Sequence, residues 1–376
     1  MDFGFSEEQE MLRQSARTML ERECPAPRVR ELMDDALGYA PAMWRRMAEL
    51  GWLGLVIPES AGGAGLGYIE MAVLAEEMGR ALLPSPFIWT VMFAEAIRRG
   101  GNDQQKSELL PKIAAGDLIA TAAILESSGA WGEGGIAMPA RRSGNSFILE
   151  GTKILVNDAH AADRMLIAAR TGGRRGGGVT LFALDARRPE IAVSALATMD
   201  RTRKLSEVRF DNLKVSKNDV VGEVGGGWPL LAAALDRARV TLAAEMIGGA
   251  QRVLEMTVDY SRMRQQFGRP IGSFQAVQHK CANMMVDIES ARSAIYYAAW
   301  AVSNETADAP LAAALAKAAA SDAYRRVAAD GIQLHGGIGF TWEHDAHLYF
   351  KRAKSSEFTF GDGNFNREIV ADLIGL

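Results

Sequence analysis

Residues 260–279 read YSRMRQQFGRPIGSFQAVQH, and no other stretch decides as much about this chain. Arg264 stands three residues before the pair Phe267-Gly268. Pro270, Ile271 and Gly272 then break the helical pattern, and Ser273 offers a fresh helix start. A guanidinium makes forked, charge-assisted bonds to phosphate, and an aromatic ring packs against a flat base. The stretch therefore has the makings of a nucleotide clamp at a helix end. Read alone it is equally an ordinary helix terminus carrying a surface arginine, so its meaning depends on what surrounds it.

What surrounds it is helical. Val277, Cys281, Met284, Ile288, Ala291, Ile295 and Ala298 follow at alternating spacings of four and three, the seam of a helix packed lengthwise in a bundle. Its methionine and isoleucines read as bundle core. Leu231, Leu235, Ala238 and Leu242 begin a long helix before it, residues 311–334 form a third, and Gly336-Gly337 ends that one. Upstream the period changes. Runs at 119–125, 146–156, 165–170, 179–183, 191–196 and 207–215 are rich in β-branched and apolar residues and bounded by Gly, Asp and Asn, which predicts a β-sandwich or small barrel. The GGRRGGG stretch at 172–178 reads as a flexible hairpin tip; it lacks the Gly-Lys-Ser/Thr ending of a phosphate loop, and no G-x-G-x-x-G follows a strand. Further upstream, Ser6 and Gln9 form a capping box, with Leu12, Ala16, Met19 and Leu20 on one helical face. Helical stretches are expected again at 41–51, 67–80 and 88–115, around a glycine-rich turn segment at 51–67. The expected fold is α+β: a helical domain over 1–118, a β domain over 119–224 and a helical-bundle domain over 225–376.

At 376 residues the chain suffices for two or three packed units, and with 48% apolar residues it can bury a large core. A net charge of -4 gives no reason to expect nucleic acid or a membrane surface as partner. Cys24 and Cys281 make no disulfide framework, the first residues are acidic where a targeting peptide is basic, and the Ala-rich stretch at 311–323 carries Lys317 and Asp322. A cytoplasmic, soluble protein is the expectation. Glu343, His344, Asp345 and His347 have the composition of a metal set but match no zinc spacing, so a solvated loop without metal is expected there. His335 and His279 read as structural or nucleotide-neighbouring rather than catalytic.

Helical front, β middle and bundle back is a layout similar to that of the acyl-CoA dehydrogenase family. Arg264, Phe267, Gly268, Pro270, Ile271, Gly272, Phe274 and Gln275 resemble its R-x-x-F-G-x-P-I-G-x-F-Q motif. Gln333, Gly336, Gly337, Gly339 and Phe340 resemble its Q-x-x-G-G-x-G-F/Y motif, and Lys351-Arg352-Ala353-Lys354 its basic run before the last helix. The resemblance implies FAD at a subunit interface. Arg264 and Phe267 would reach the pyrophosphate and adenosine end of the neighbour's FAD, and Gln333, Gly336 and Gly337 would line it. Asp236 and Arg239 match a helix position that contacts acyl-CoA substrate. The implied reaction is α,β-dehydrogenation of an acyl thioester. A carboxylate takes the α-proton, the β-hydrogen leaves as hydride to the flavin, and an electron-transferring flavoprotein collects the electrons.

The match then breaks at the chemistry. The family's Y-E-G-T segment appears as Thr359-Phe360-Gly361-Asp362, with Phe360 where the catalytic Glu belongs. The alternative site for the base, on the helix beginning near 229, holds Ala238. Only Glu126 survives in place from the T-E-P-G-A-G-S-D loop, here residues 125–132. The strand usually reading K-x-W-I-T-N runs Lys153-Ile154-Leu155-Val156-Asn157-Asp158, without its Trp and Thr. Asp362 and Asn364 replace a Thr and Gln that hold FAD. Groups a subunit gives to its own flavin are changed, while groups it lends to a neighbour's are kept. This predicts the base-lacking subunit of a heterotetramer, paired with a homologous dehydrogenase subunit, as in family complexes that act on steroid side chains and other bulky or dicarboxylic acyl-CoA esters. The competing expectations are a homomeric FAD enzyme with a relocated base, at Asp362 or Glu245, and a flavin-free structural homologue.

Overall fold

The computed structural model describes residues 4–172 and 178–376; the hairpin tip expected at 172–178 lies, apart from its end glycines, outside the described residues. Six helices precede the strands: α1 (Glu7–Glu23), α2 (Ala26–Asp34), α3 (Pro41–Glu49), α4 (Tyr68–Arg80), α5 (Phe87–Gly100) and α6 (Asp103–Ala114). The strands follow as β1 (Ala120–Ala123), β2 (Ala140–Ser143), β3 (Ser146–Asn157), β4 (Arg164–Arg170), β5 (Val179–Asp185), β6 (Ile191–Leu196), β7 (Leu205–Ser216) and β8 (Val220–Val221). Then come α7 (Gly227–Met263), α8 (Gln275–Ser303), α9 (Ala309–His335), α10 (Ala346–Phe358) and α11 (Gly363–Leu373), with a short hairpin, Gln265–Gln266 against Arg269–Pro270, between α7 and α8. None of these helices is long and apolar enough to cross a membrane.

Local chemistry explains the boundaries. The Ser6 hydroxyl accepts the Gln9 N–H at 3.2 Å and the Gln9 side chain accepts the Ser6 N–H at 3.0 Å, so the expected capping box opens α1. The stretch expected to be helical over 88–115 is two helices. Glycines 100 and 101 end the first, and Asn102 caps the second in another capping box with Gln105.

Residues fall into two compact units, Met1–Glu31 with Gly67–Leu83 and Arg239–Leu376, and Leu32–Leu66 with Pro84–Ala238. The second unit holds the β-sandwich. One sheet runs β1-β4-β5-β8, with β1 parallel to β4, and the other runs antiparallel as β2-β3-β7-β6. The inner faces of both fill one core. Ile167 and Phe182 come from the first sheet, Leu149, Val208 and Phe210 from the second, and Phe147 meets Phe182 edge-on at 5.5 Å. The first unit is helical. α8 packs along α9, and α10 and α11 pack on α9. Of the predicted seam, Met284, Ile288, Ala291, Ile295 and Ala298 are buried, while Val277 and Cys281 nearest the hairpin are half-buried. α4 and α7 touch backbone to backbone: a Cβ on Gly79 would fall 1.8 Å from the Glu245 carbonyl oxygen, and one on Gly248 1.8 Å from that of Glu76.

Candidate cofactor and substrate site

α7 ends at Met263, and the Arg264 N–H closes its last turn on the Tyr260 carbonyl at 2.8 Å. The chain then reverses through Phe267 (φ 53°) and Gly268 (φ 77°). Both lie in the left-handed region that a two-residue hairpin turn of the mirror-image type requires. Phe267 is thereby carried at the tip, 90% exposed. It meets Phe274 edge-on at 6.1 Å, and the Arg269 guanidinium sits 4.1 Å over the Phe274 ring. The next helix starts later than the sequence suggested. Residues Ile271–Ser273 form a short 3-10 turn, the Ser273 hydroxyl donates back to the Pro270 carbonyl, and α8 begins at Gln275. The Arg264 guanidinium is exposed and has no hydrogen-bond or ion-pair partner among the described residues.

The second group stands at the end of α9. Gln333 is exposed on its last turn, with its side-chain amide likewise unengaged among the described residues. Gly336 follows the helix at φ 64° and ψ -144°, a conformation open only to glycine. Its N–H caps α9 on the Gln333 and Ile332 carbonyls, while the space beside Gly336 and Gly337 is clear: a Cβ on either would meet nothing within 4 Å. Tyr260 stacks on His335 at 4.6 Å, and a Lys280–Asp330 ion pair joins α8 to α9. The hairpin and the glycine turn therefore share one end of the helical unit. An unengaged guanidinium, an unengaged amide, an exposed ring and bare backbone form a donor set that fits the pyrophosphate and adenosine portion of a dinucleotide.

The positions that could hold a base have different surroundings. Phe360 is fully buried with φ 61°, and Gly361 follows at φ 92°. Side chains from three helices pin this turn. Arg239 Nε (α7) donates to the Phe360 carbonyl at 3.3 Å, Lys317 Nζ (α9) to the carbonyls of Gly361 and Glu357 at 3.0 and 3.1 Å, and Asn366 Nδ2 (α11) to the Gly361 carbonyl at 2.9 Å. Asp362 accepts the Phe365 N–H at 2.8 Å and so caps α11. Ala238 is buried in α7. Glu245, buried one stretch further along, is ion-paired with Arg352 at 2.5 Å, and Arg352 also donates to the Leu82 and Leu83 carbonyls. Asp236 and Arg239 are both buried.

Sequence reasoning missed Lys317, which it treated only as a charge interrupting an apolar run. A lone lysine in an alanine-rich seam, with Ser321 one turn on accepting from it at 2.9 Å, was the available signal. It also missed what Glu126 does. Its carboxylate accepts the N–H groups of Ala137 and Met138 at 3.0 and 2.9 Å and the Lys153 ammonium at 2.7 Å, while Lys153 also donates to the Ile124 carbonyl. Burial pulls Lys153 down to about 8 against the attraction of Glu126. The two residues retained from the flavin-facing motifs thus tie a loop to β3, and Leu155, at the missing Trp position, stands 41% exposed.

The acidic-histidine segment is not a fully solvated loop. Glu343 is exposed, but His347 is buried in α10, where its Nδ1 accepts from Lys351 at 3.2 Å. Burial, and then Lys351, drive that imidazole down to about 4. Asp345 pairs with Arg30 at 2.7 Å, and no group of three metal-ligating side chains occurs among the described residues.

Three sequence models of one family match the chain: acyl-CoA dehydrogenase N-terminal domain at residues 6–117, middle domain at 133–213 and C-terminal domain at 225–375. Acyl-CoA dehydrogenase IpdE2 of Mycobacterium tuberculosis is 35% identical over 351 residues, covering 93% of this chain and 92% of its own. The ChsE4–ChsE5 complex of Mycobacterium tuberculosis contains a chain that superposes with a TM-score of 0.90 at 30% identity over 100% of both. A variant of the Tcur3481–Tcur3483 steroid ACAD gives 0.88 at 32% identity over 98% of both.

Proposed function

The chain belongs to the acyl-CoA dehydrogenase family, FAD-dependent oxidoreductases of the acyl-CoA CH–CH bond, and from that premise we propose that it is the base-lacking subunit of a heteromeric member. Its part is to hold the adenosine and pyrophosphate end of an FAD whose ring sits in a homologous partner subunit. The observation that carries this reading is a contrast in engagement. Arg264 and Gln333 have exposed, uncommitted donors, whereas both carboxylates available for a relocated base are committed to the fold, Asp362 as a cap and Glu245 to Arg352.

Each residue then has a task. The Arg264 fork neutralises pyrophosphate charge, Phe267 covers the adenine face, Gln333 supplies an amide, and the side-chain-free backbone at Gly336 and Gly337 lets phosphate oxygens come close where a side chain would keep them away. FAD, when bound, accepts the β-hydrogen of the acyl group as hydride. Proton abstraction from the α-carbon falls to the partner, because Phe360 cannot take a proton and Ala238 has none to exchange. Arg239, engaged with the Phe360 carbonyl, holds the turn, and the acyl-CoA contacts that its position and Asp236 suggest pass to the partner chain. Relatives such as the ChsE4–ChsE5 complex and the steroid ACAD favour a paired enzyme acting on a bulky acyl-CoA, with reoxidation by an electron-transferring flavoprotein.

The test is to purify the chain alone and together with a homologous dehydrogenase subunit, recording flavin absorbance and acyl-CoA oxidation. Colourless and inactive alone, yellow and active together, is the expected result. Stoichiometric FAD and turnover by this chain alone would defeat the proposal. Asp362→Asn and Glu245→Gln would then show which of the two is a relocated base.

A further inference from the structure

The residues assigned to FAD come from separate elements, the hairpin after α7 and the turn after α9, and binding one ligand requires the two to be held at a fixed spacing. One side chain stands between them. The His335 imidazole is 3% exposed and lies nearly flat on Tyr260, with 4.6 Å between centroids and 29° between planes. Tyr260 is the residue whose carbonyl receives the Arg264 N–H. The His344 ring stands beside the imidazole, 4.4 Å between centroids and tilted by 53°, and the His335 Nδ1 donates to the Gly331 carbonyl at 2.7 Å, which fixes the ring plane. Its Cβ also fills the space left by Gly339, where a side-chain carbon would come within 3.0 Å of it. A single ring therefore touches α7, its own helix, the glycine turn and the loop before α10.

We propose that His335 is a positioning residue that sets the hairpin of Arg264 and Phe267 in register with the turn of Gln333, Gly336 and Gly337. FAD affinity in the assembled enzyme then depends on a ring that does not touch FAD. This inference rests on the reading of those five residues as FAD contacts. Burial lowers the pKa of His335, and His344 lowers it further, against the pull of the Gly331 carbonyl. The groups facing this cluster are Tyr260 from α7, His344 and Asp345 from the loop, Arg30 from α2, and His347 and Lys351 from α10. Asp330, with Lys280, stands just over one turn earlier on α9. Asp345 and Asp330 are each paired with a cation, so a proton on His335 meets mainly positive neighbours. The folded state favours the neutral ring. Its contribution is fully present above the ordinary imidazole value of about 6.5 and is lost as pH falls through the lowered value.

The experiment uses the complex with the partner subunit and three variants: Arg264→Ala as reference, His335→Ala, and His335→Phe, which keeps the stack but cannot titrate. His335→Ala is expected to raise the FAD dissociation constant about tenfold, the same direction as expected of Arg264→Ala. His335→Phe should retain flavin at neutral pH and reduce the acid-side weakening expected of the native complex. In the free subunit, His335→Ala should speed backbone hydrogen exchange across residues 264–274, a readout that needs no FAD. Loss of flavin in Arg264→Ala without loss or faster exchange in His335→Ala overturns the positioning role and leaves the FAD reading intact. Unchanged flavin in both variants overturns the FAD reading and this inference with it. Should His335→Ala fail to fold, an acid limb of flavin binding left unchanged in His335→Phe overturns the inference by itself.

Discussion

Asp362 and Glu245 are the side chains on which a rival, self-sufficient enzyme would depend, and their surroundings give them other work. Removing the Asp362 carboxylate by an Asp362→Ala change uncaps α11, at about 1 kcal/mol, whereas Asn keeps the cap; denaturant midpoints of the two variants check this. Glu245→Gln leaves the Arg352 guanidinium buried without its counter-charge, so a loss of about 3–5 kcal/mol is expected from chemical denaturation. A stability-neutral Glu245→Gln would return that carboxylate to the list of bases. That Phe360 stands where the family resemblance implies a Glu is visible without coordinates. The turn-forming role of Asp362 was legible from its flanking glycines. The commitments of Glu245, Glu126 and Lys317 were not, because each partner lies far away in sequence: Arg352, Lys153 and the carbonyls of Glu357 and Gly361.

Among the elements, those with a long period or a local cap were the readable ones. The α8 seam repeats over six turns, and the α1 capping box lies within four residues, so both stood out. β2 and β8 did not, since Ala140–Ser143 shows one buried residue in four and Val220–Val221 is only two residues long. Their pairing comes from β3 and β5, not from their own pattern. Nor was the α4–α7 contact visible, although it places Glu245. Gly79→Ala would drive a methyl into the Glu245 carbonyl, and a destabilisation of at least about 1–3 kcal/mol by thermal or urea unfolding is expected, because backbone must move. α10 carries a pH prediction. His347 is held neutral by burial and by the Lys351 ammonium, so its folded pKa of about 4 lies below the unfolded value. Its stabilising share is complete above the ordinary imidazole value and disappears as pH falls through about 4. Lys351→Met removes one of the causes that hold the pKa down, so it should move that loss to higher pH in melting curves recorded across the acid range; an unmoved profile would place the acid sensitivity elsewhere.

For the whole molecule, the proposed division of labour predicts a number. The end of the helical unit that carries the residues proposed to contact FAD also exposes Met263 (74%), Phe267 (90%), Phe340 (69%) and Trp342 (57%). That is more large apolar surface at one place than a free-standing chain gains from leaving in water, and it suits a subunit whose partner covers it. The opposite half of the bargain is missing from the β-sandwich. Glu126 and Lys153 are spent on each other and on backbone, and Leu155 stands where the family resemblance implies an aromatic cover for a flavin ring. A complex of this chain with a homologous partner should therefore hold one FAD for each pair of chains, in the partner's pocket, with Arg264 closing it. A homomeric enzyme with a relocated base should hold one per chain. Flavin released from the purified complex, measured against the mass-spectrometric ratio of the two chains, separates the two. One FAD per pair that is lost in Arg264→Ala agrees with lending without holding. One per chain would mean that this sandwich seats a flavin despite its altered loop, and the asymmetry between kept and changed residues would need another cause.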